Sequence, residues 1–234
     1  MNDNLAERLE RVHGQIGEAA TNAGRNPDRV KLVAVSKTHP AETLEKAISA
    51  GAEILGENKV QEAIDKIQAI GREKTEWHLI GHLQSNKARK AVQNFDMIHT
   101  LDSLSLAERL ERICGEENRP ELSVLAQIDL ADEESKFGIK EKDLPELVDF
   151  LKTCRYLKFN GLMIIPPFFA ETERVRPYFT KLREIRDDLQ SEKVFANDFG
   201  ELSMGMSNDF RVAIEEGATL VRIGTAIFGE RSYN

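Results

Sequence analysis

The 234-residue chain reads as a single (β/α)8 barrel, an α/β fold, with one extra helix in front. Three observations predict it. Short apolar runs alternate with longer stretches of helical spacing about eight times, the signature of βαβ units and a parallel sheet. The length suits a barrel, which typically uses about 250 residues. No Gly-x-Gly-x-x-Gly follows any candidate strand, which weakens the doubly wound open sheet as the alternative.

The elements follow in order. Leu5, Leu9, Val12 and Ile16 share one helical face, and Gly24 with Asn26-Pro27 stops that helix. Apolar runs predict strands at 30–36, 53–55, 77–81, 97–100, 122–129, 157–165, 202–204 and 220–223. Between them, helical spacing predicts helices at 41–50, 60–70, 104–114, 144–153, 175–189 and 209–216. In the first strand Lys31, Val33, Val35 and Lys37 share one face, and Leu32, Ala34 and Ser36 the other. Both faces are mostly apolar, as expected of a parallel strand buried on both sides. With no linker or low-complexity tract between elements, residues 1–234 are expected to form one domain.

Composition narrows the function. The net charge is −8 and no tract is rich in lysine or arginine, so a nucleic-acid surface is not expected. Cys114 and Cys154 lack Cys-x-x-Cys spacing and read as reduced thiols. The first residues lack the apolar core of a signal peptide, and no stretch is long and apolar enough to span a membrane. A soluble cytoplasmic protein is expected.

In a barrel, chemistry sits on the loops after the strands, and phosphate sites favour the last two. Lys37 ends the first strand at that edge. A partly desolvated amine there loses its proton more easily and attacks carbonyls to form Schiff bases. A lysine after a strand is otherwise simply a solvated stop. After the seventh strand, Ser207 is expected to cap a helix opened by Asn208 and Asp209, offering unpaired N–H groups to an anion. After the eighth, Gly224 permits close backbone approach and Thr225 adds a hydroxyl. Arg222 shares a face with Leu220, while Val221 and Ile223 suit the helix layer, which aims the guanidinium inside the barrel toward its mouth. It needs acceptors there, from a ligand or from a carboxylate on another strand.

Other features lead nowhere. His78 and His82 would lie about 13 Å apart on a strand, too far to share a zinc ion. Asp132-Glu133-Glu134 lacks calcium-loop spacing and reads as a solvated loop. There is no Gly-x-Ser-x-Gly elbow and no Walker loop.

Several blocks together resemble a known family. They are Val33-Ala34-Val35-Ser36-Lys37-Thr38, Gly56-Glu57-Asn58, the run from His78 to Lys87, Ser135-Lys136-Phe137-Gly138, Gly161-Leu162-Met163, the run from Leu202 to Ser207, and the run from Val221 to Gly229. In this order they look like the pyridoxal phosphate homeostasis proteins. The resemblance implies a barrel like that of alanine racemase, without that enzyme's β-domain, and pyridoxal 5′-phosphate (PLP) as cofactor. It implies a Schiff base on Lys37, a phosphate cradle at Ser207, Gly224 and Thr225, and Arg222 facing the pyridine nitrogen. Asn58, by position, would touch the ring or its hydroxyl. Lys136 matches a family lysine whose role the sequence does not give. The implied function is PLP homeostasis: holding the reactive aldehyde and passing it to apo-enzymes, with no established turnover. Expected partners are PLP and those apo-enzymes, with the chain a monomer or weak dimer.

Two rival readings use the same barrel. One is a PLP-dependent amino-acid racemase, the other a Schiff-base aldolase with no cofactor, in which Lys37 attacks a sugar ketone. A racemase needs acid/base groups on both faces of the substrate carbon. The three tyrosines, Tyr156, Tyr178 and Tyr233, all fall away from the predicted mouth loops, so no efficient racemase is expected.

Overall fold

A computed structural model describes residues 4–131 and 137–229. Eight parallel strands close into a barrel: β1 (Lys31–Val35), β2 (Ile54–Glu57), β3 (Glu76–Leu79), β4 (Met97–Leu101), β5 (Leu122–Asp129), β7 (Leu157–Met163), β8 (Glu201–Met206) and β9 (Leu220–Ile223). Each pairs with its neighbours around the ring, and the β4–β5 and β1–β9 pairings complete the closure. A two-residue strand absent from the expectation, β6 (Ile139–Lys140), hangs on the end of β5.

The helices are α1 (Leu5–Asn22), α2 (Ala41–Ser49), α3 (Val60–Ile70), α4 (Ala88–Asn94), α5 (Leu104–Glu116), α6 (Leu144–Thr153), α7 (Arg176–Ser191), α8 (Phe210–Glu215) and α9 (Thr225–Phe228). α1 starts at a capping box in which Asn4 and Glu7 satisfy each other's backbone N–H groups. It buries Leu9, Val12 and Ile16 and packs against α8 and α9. Arg8 ties it there by donating from Nε to the carbonyl of Ile227 at 2.6 Å.

Strand period two divides the core into two compartments. Outward residues such as Leu32, Ala34, Leu55, Trp77, Leu79, Leu202, Val221 and Ile223 join the helices in one large cluster. Inward residues Val33, Ile54, Ile80, Leu125, Met163 and Leu220 form a smaller one inside the barrel. The barrel interior is therefore packed, and ligand chemistry is confined to its C-terminal mouth. Among the described residues, no helix is long and apolar enough to cross a membrane.

Candidate functional site at the barrel mouth

Lys37 lies in the turn just past β1 and is half-buried. The next residue, Thr38, has φ 69°, a left-handed conformation uncommon for a residue with a side chain. A polar clamp between β1, β2 and α3 holds this turn. Lys66 of α3 is 6% exposed, and its Nζ donates to the Ser36 carbonyl at 2.8 Å, to Glu57 at 2.7 Å and to Glu62 at 2.7 Å. Ser36 Oγ donates to the same Glu57 oxygen at 2.6 Å, and Glu62 accepts the Thr38 N–H. Burial raises the pKa of Glu57, while Lys66 and Ser36 oppose that rise. The clamp thus grips the backbone on both sides of Lys37 from the outer face of the sheet, leaving the inner face to the lysine.

Asn58 follows β2. β1 and β2 pair with Val35 opposite Gly56, so the same register two residues on sets Lys37 level with Asn58. Gly81 closes over Asn58 from the loop after β3. A Cβ at Gly81 would lie 2.2 Å from the Asn58 carbonyl oxygen, so glycine is required for this close approach.

On the other side of β1 lie β9 and β8. β8 pairs with β9 so that Met206 is opposite Arg222, which brings Ser207 alongside the end of β9. Gly224 caps α9, and a Cβ there would press on the Val35 carbonyl oxygen at 3.2 Å. Thr225 opens α9 and is exposed. Lys37, Asn58, Ser207, Gly224 and Thr225 therefore gather on the rims of four consecutive strands, β2-β1-β9-β8.

Arg222 points into the barrel beneath this rim and is 4% exposed. Its two terminal nitrogens donate to Ser203 Oγ at 2.7 Å and to the Ile164 carbonyl at 2.8 Å. The carboxylate partner that the sequence left open is replaced by a hydroxyl and a carbonyl. Burial lowers the guanidinium pKa to about 10, with the Asp209 charge opposing, so it stays a cation at neutral pH.

One expectation needs correction. Ser207 does not cap a helix. Residues 207–209 form a turn, and α8 starts at Phe210 with Asp209 in the cap position. The Asp209 carboxylate reaches back to accept the Met206 N–H at 2.6 Å, which spends these residues on a turn before the helix can begin. Ser207 still sits on the mouth, half-buried. Lys136, Tyr233 and the 132–134 loop lie outside the described residues.

The sequence reading also missed partners. Lys66 sits on the buried stripe of α3 with Ala63, Ile67 and Ile70, and a lysine at that position was the available signal. Ser203, fully buried, accepts from Arg222 inside the barrel, and buried His99 and His78 follow in turn behind it. His82, by contrast, binds Asp102 at 3.0 Å and stacks on Phe137, so the two histidines of the 78–82 run serve different places. Among the described residues, no group of three or more His, Cys, Asp or Glu could hold a metal ion.

Comparison with known proteins bears on the fold and the family. Residues 9–232 match the family described as alanine racemase, N-terminal domain. The pyridoxal phosphate homeostasis protein of Aquifex aeolicus (strain VF5) is 44% identical, the match covering 98% of this chain and 100% of that protein. The Escherichia coli (strain K12) protein of the same name is 45% identical over 100% of this chain and 99% of its own. Among solved structures, PipY of Synechococcus elongatus PCC7942, with PLP bound, superposes with a TM-score of 0.86 at 39% identity, covering 97% of this chain and 100% of its own. Alanine racemase of Clostridium difficile 630 shares the fold at 17% identity and a TM-score of 0.72, with 100% of this chain matching 58% of the enzyme. Matched over nearly its whole length by the Aquifex aeolicus and Escherichia coli proteins, this chain belongs to the pyridoxal phosphate homeostasis protein family.

Proposed function

We propose that this chain holds PLP through a Schiff base on Lys37 and serves as a cytoplasmic store of it, without efficient amino-acid turnover of its own. The observation that carries this reading is that Lys37, on the rim of β1, and Arg222, buried beneath that rim on β9 opposite Val33, lie on adjacent strands of one barrel. PLP supplies an electrophilic aldehyde and a ring that can draw electrons from an attached amine. The donor set fits such a molecule. Lys37 offers the amine, and the Arg222 guanidinium has only N–H donors, so it can face only an unprotonated ring nitrogen. Ser207 and Thr225 bring hydroxyls to the neighbouring rims, and Gly224 adds no side chain between them. Asn58, level with Lys37, would offer its amide to the ring or its hydroxyl.

An arginine at the nitrogen weakens the electron sink that catalysis at an α-carbon uses, since such catalysis usually relies on a protonated nitrogen held by a carboxylate. Tyr156 precedes β7 at the opposite end of the barrel, and Tyr178 lies in α7, stacked on Phe169. Neither belongs to the rims of β2, β1, β9 and β8 that carry the Lys37 site. Recipients of the cofactor are then apo-enzymes that need PLP, and this chain's task is to bind, orient and release it.

Titration with PLP tests this reading. The protein should turn yellow with one equivalent bound, and Lys37→Ala should lose that colour. Incubation of the loaded protein with L-alanine in deuterated water should show little exchange at the α-carbon. Racemisation at about 1 s⁻¹ or faster, an ordinary enzymatic rate, would overturn the storage reading.

A further inference from the structure

Four buried side chains run in a line through the barrel: Arg222 on β9, Ser203 on β8, His99 on β4 and His78 on β3. Their exposures are 4%, 0%, 0% and 2%. Arg222 meets Ser203 Oγ at 2.7 Å, Ser203 Oγ meets His99 Nδ1 at 2.8 Å, and His99 Nε2 meets His78 Nδ1 at 3.0 Å.

The direction of every bond in this line follows from its first two members. A guanidinium can only donate, so Ser203 Oγ accepts from Arg222, and among the partners of that hydroxyl His99 Nδ1 is the one that can accept its proton. His99 Nδ1 is then the acceptor, and a neutral ring carries its proton on Nε2. That proton goes to His78 Nδ1, which leaves the His78 proton on Nε2. His78 Nε2 has no hydrogen-bond partner closer than the Glu76 carboxylate at 3.4 Å. It faces a cavity of about 270 Å³ at the barrel floor, which Asp96, Arg119, Glu121 and Ser123 also line. Were His99 cationic, it would donate from both nitrogens, and the Ser203 proton would have nowhere to go. Burial, His78 and Arg222 all hold the His99 pKa well below the usual histidine value, in agreement.

We infer that His99, acting through Ser203, is a positioning residue for Arg222, and that this one-way chain of neutral groups takes the place of a carboxylate partner. The consequence is electrostatic. A carboxylate would orient the arginine and also cancel its charge. Ser203 and His99 orient it and leave the charge whole, so the full cation faces the ring nitrogen and disfavours protonation there. Asp209 is the acidic group whose charge Arg222 feels, and its carboxylate is engaged by the Met206 N–H. This inference rests on the reading that Arg222 faces the cofactor's ring nitrogen.

Two measurements test it. Long-range proton–nitrogen correlation spectra of the ¹⁵N-labelled protein, without added PLP, read the histidine tautomers directly. His99 should be neutral with its proton on Nε2 from about pH 6 to pH 8, the range in which an ordinary histidine changes charge. A cationic His99, or one protonated on Nδ1, overturns the chain. The second measurement compares His99→Leu with His99→Gln. A glutamine amide can accept from Ser203 and donate to His78, so it preserves the direction, and leucine cannot. His99→Leu should weaken PLP retention about tenfold, a fair share of a charge-assisted hydrogen bond, and shift the absorption or pH profile of the bound cofactor. His99→Gln should stay within about threefold of the unmodified protein, less than one such bond. Equal retention and an unchanged spectrum in His99→Leu overturn the positioning role. If His99→Leu does not fold, the tautomer measurement on the unmodified protein decides alone. If the unmodified protein takes up no PLP, the storage reading falls, and the tautomers still decide the chain.

Discussion

Replacing Lys66 by methionine should cost this protein more stability than any surface change. The side chain keeps its length but loses its charge, and with it three hydrogen bonds, to Ser36, Glu57 and Glu62. What remains is Glu57, 0% exposed, with one oxygen holding only the Ser36 hydroxyl and the other without a partner. Removing one member of a buried pair costs about 3–5 kcal/mol, because the surviving charge is left uncompensated. For a chain of this size that is a fall in Tm of about 6–20 °C. The sign of the pH dependence follows from Glu57. Burial raises its pKa in the folded state, so the stability it contributes is present at low pH and lost as pH rises through the raised value. Without Lys66 that value rises further. The deficit should therefore be largest near pH 8 and smaller near about pH 5, closer to the ordinary carboxylate range. Urea denaturation at both pH values measures it. Adding Glu57→Gln should recover part of the loss, since the buried charge is then gone. A loss below about 1 kcal/mol at pH 8, the range of an exposed ion pair, would refute the idea of a buried clamp under Lys37.

Three other outcomes are expected. Gly81→Ala should lose about 1–3 kcal/mol, the usual cost of overpacking, because its Cβ would collide with Asn58, and PLP retention should fall with it; denaturation curves and PLP titration check both. Ser207→Ala should weaken PLP retention by about 1.5–3 kcal/mol, the worth of a hydrogen bond to a charged group, as measured by equilibrium dialysis. Burial pushes the Cys114 thiol up to about 11 and the Cys154 thiol up to about 12, so iodoacetamide at pH 8 should leave both unmodified until the chain is unfolded, as followed by mass spectrometry.

The barrel was legible because its strands are largely buried on both faces, so most carry apolar residues at both parities of the strand period between turns. β5 and β9 match their runs to the residue, and so do α3 and α6, whose stripes are long and regular. α4 went unread because it is seven residues long and buries only Ala88, Ala91 and Val92, which leaves little apolar period to detect. β6, with two residues, has no period at all. The site divides in the same way. The places of Lys37, Arg222 and Gly224 in the barrel were readable because strand period and strand ends are properties of one segment. The Ser203–His99–His78 line was not, since it depends on lateral register between β8, β4 and β3. The turn before α8 misled for a related reason: serine is a common cap, and only the reach of Asp209 back to Met206 delays the helix.

The central claim is that Lys37 carries the cofactor. Borohydride reduction of the PLP-loaded protein, followed by proteolysis and peptide mass mapping, tests it most directly. The account predicts one reduced pyridoxyl adduct, on Lys37, absent from Lys37→Ala. An adduct on Lys87 or Lys136 in the unmodified protein, with Lys37 untouched, would contradict it.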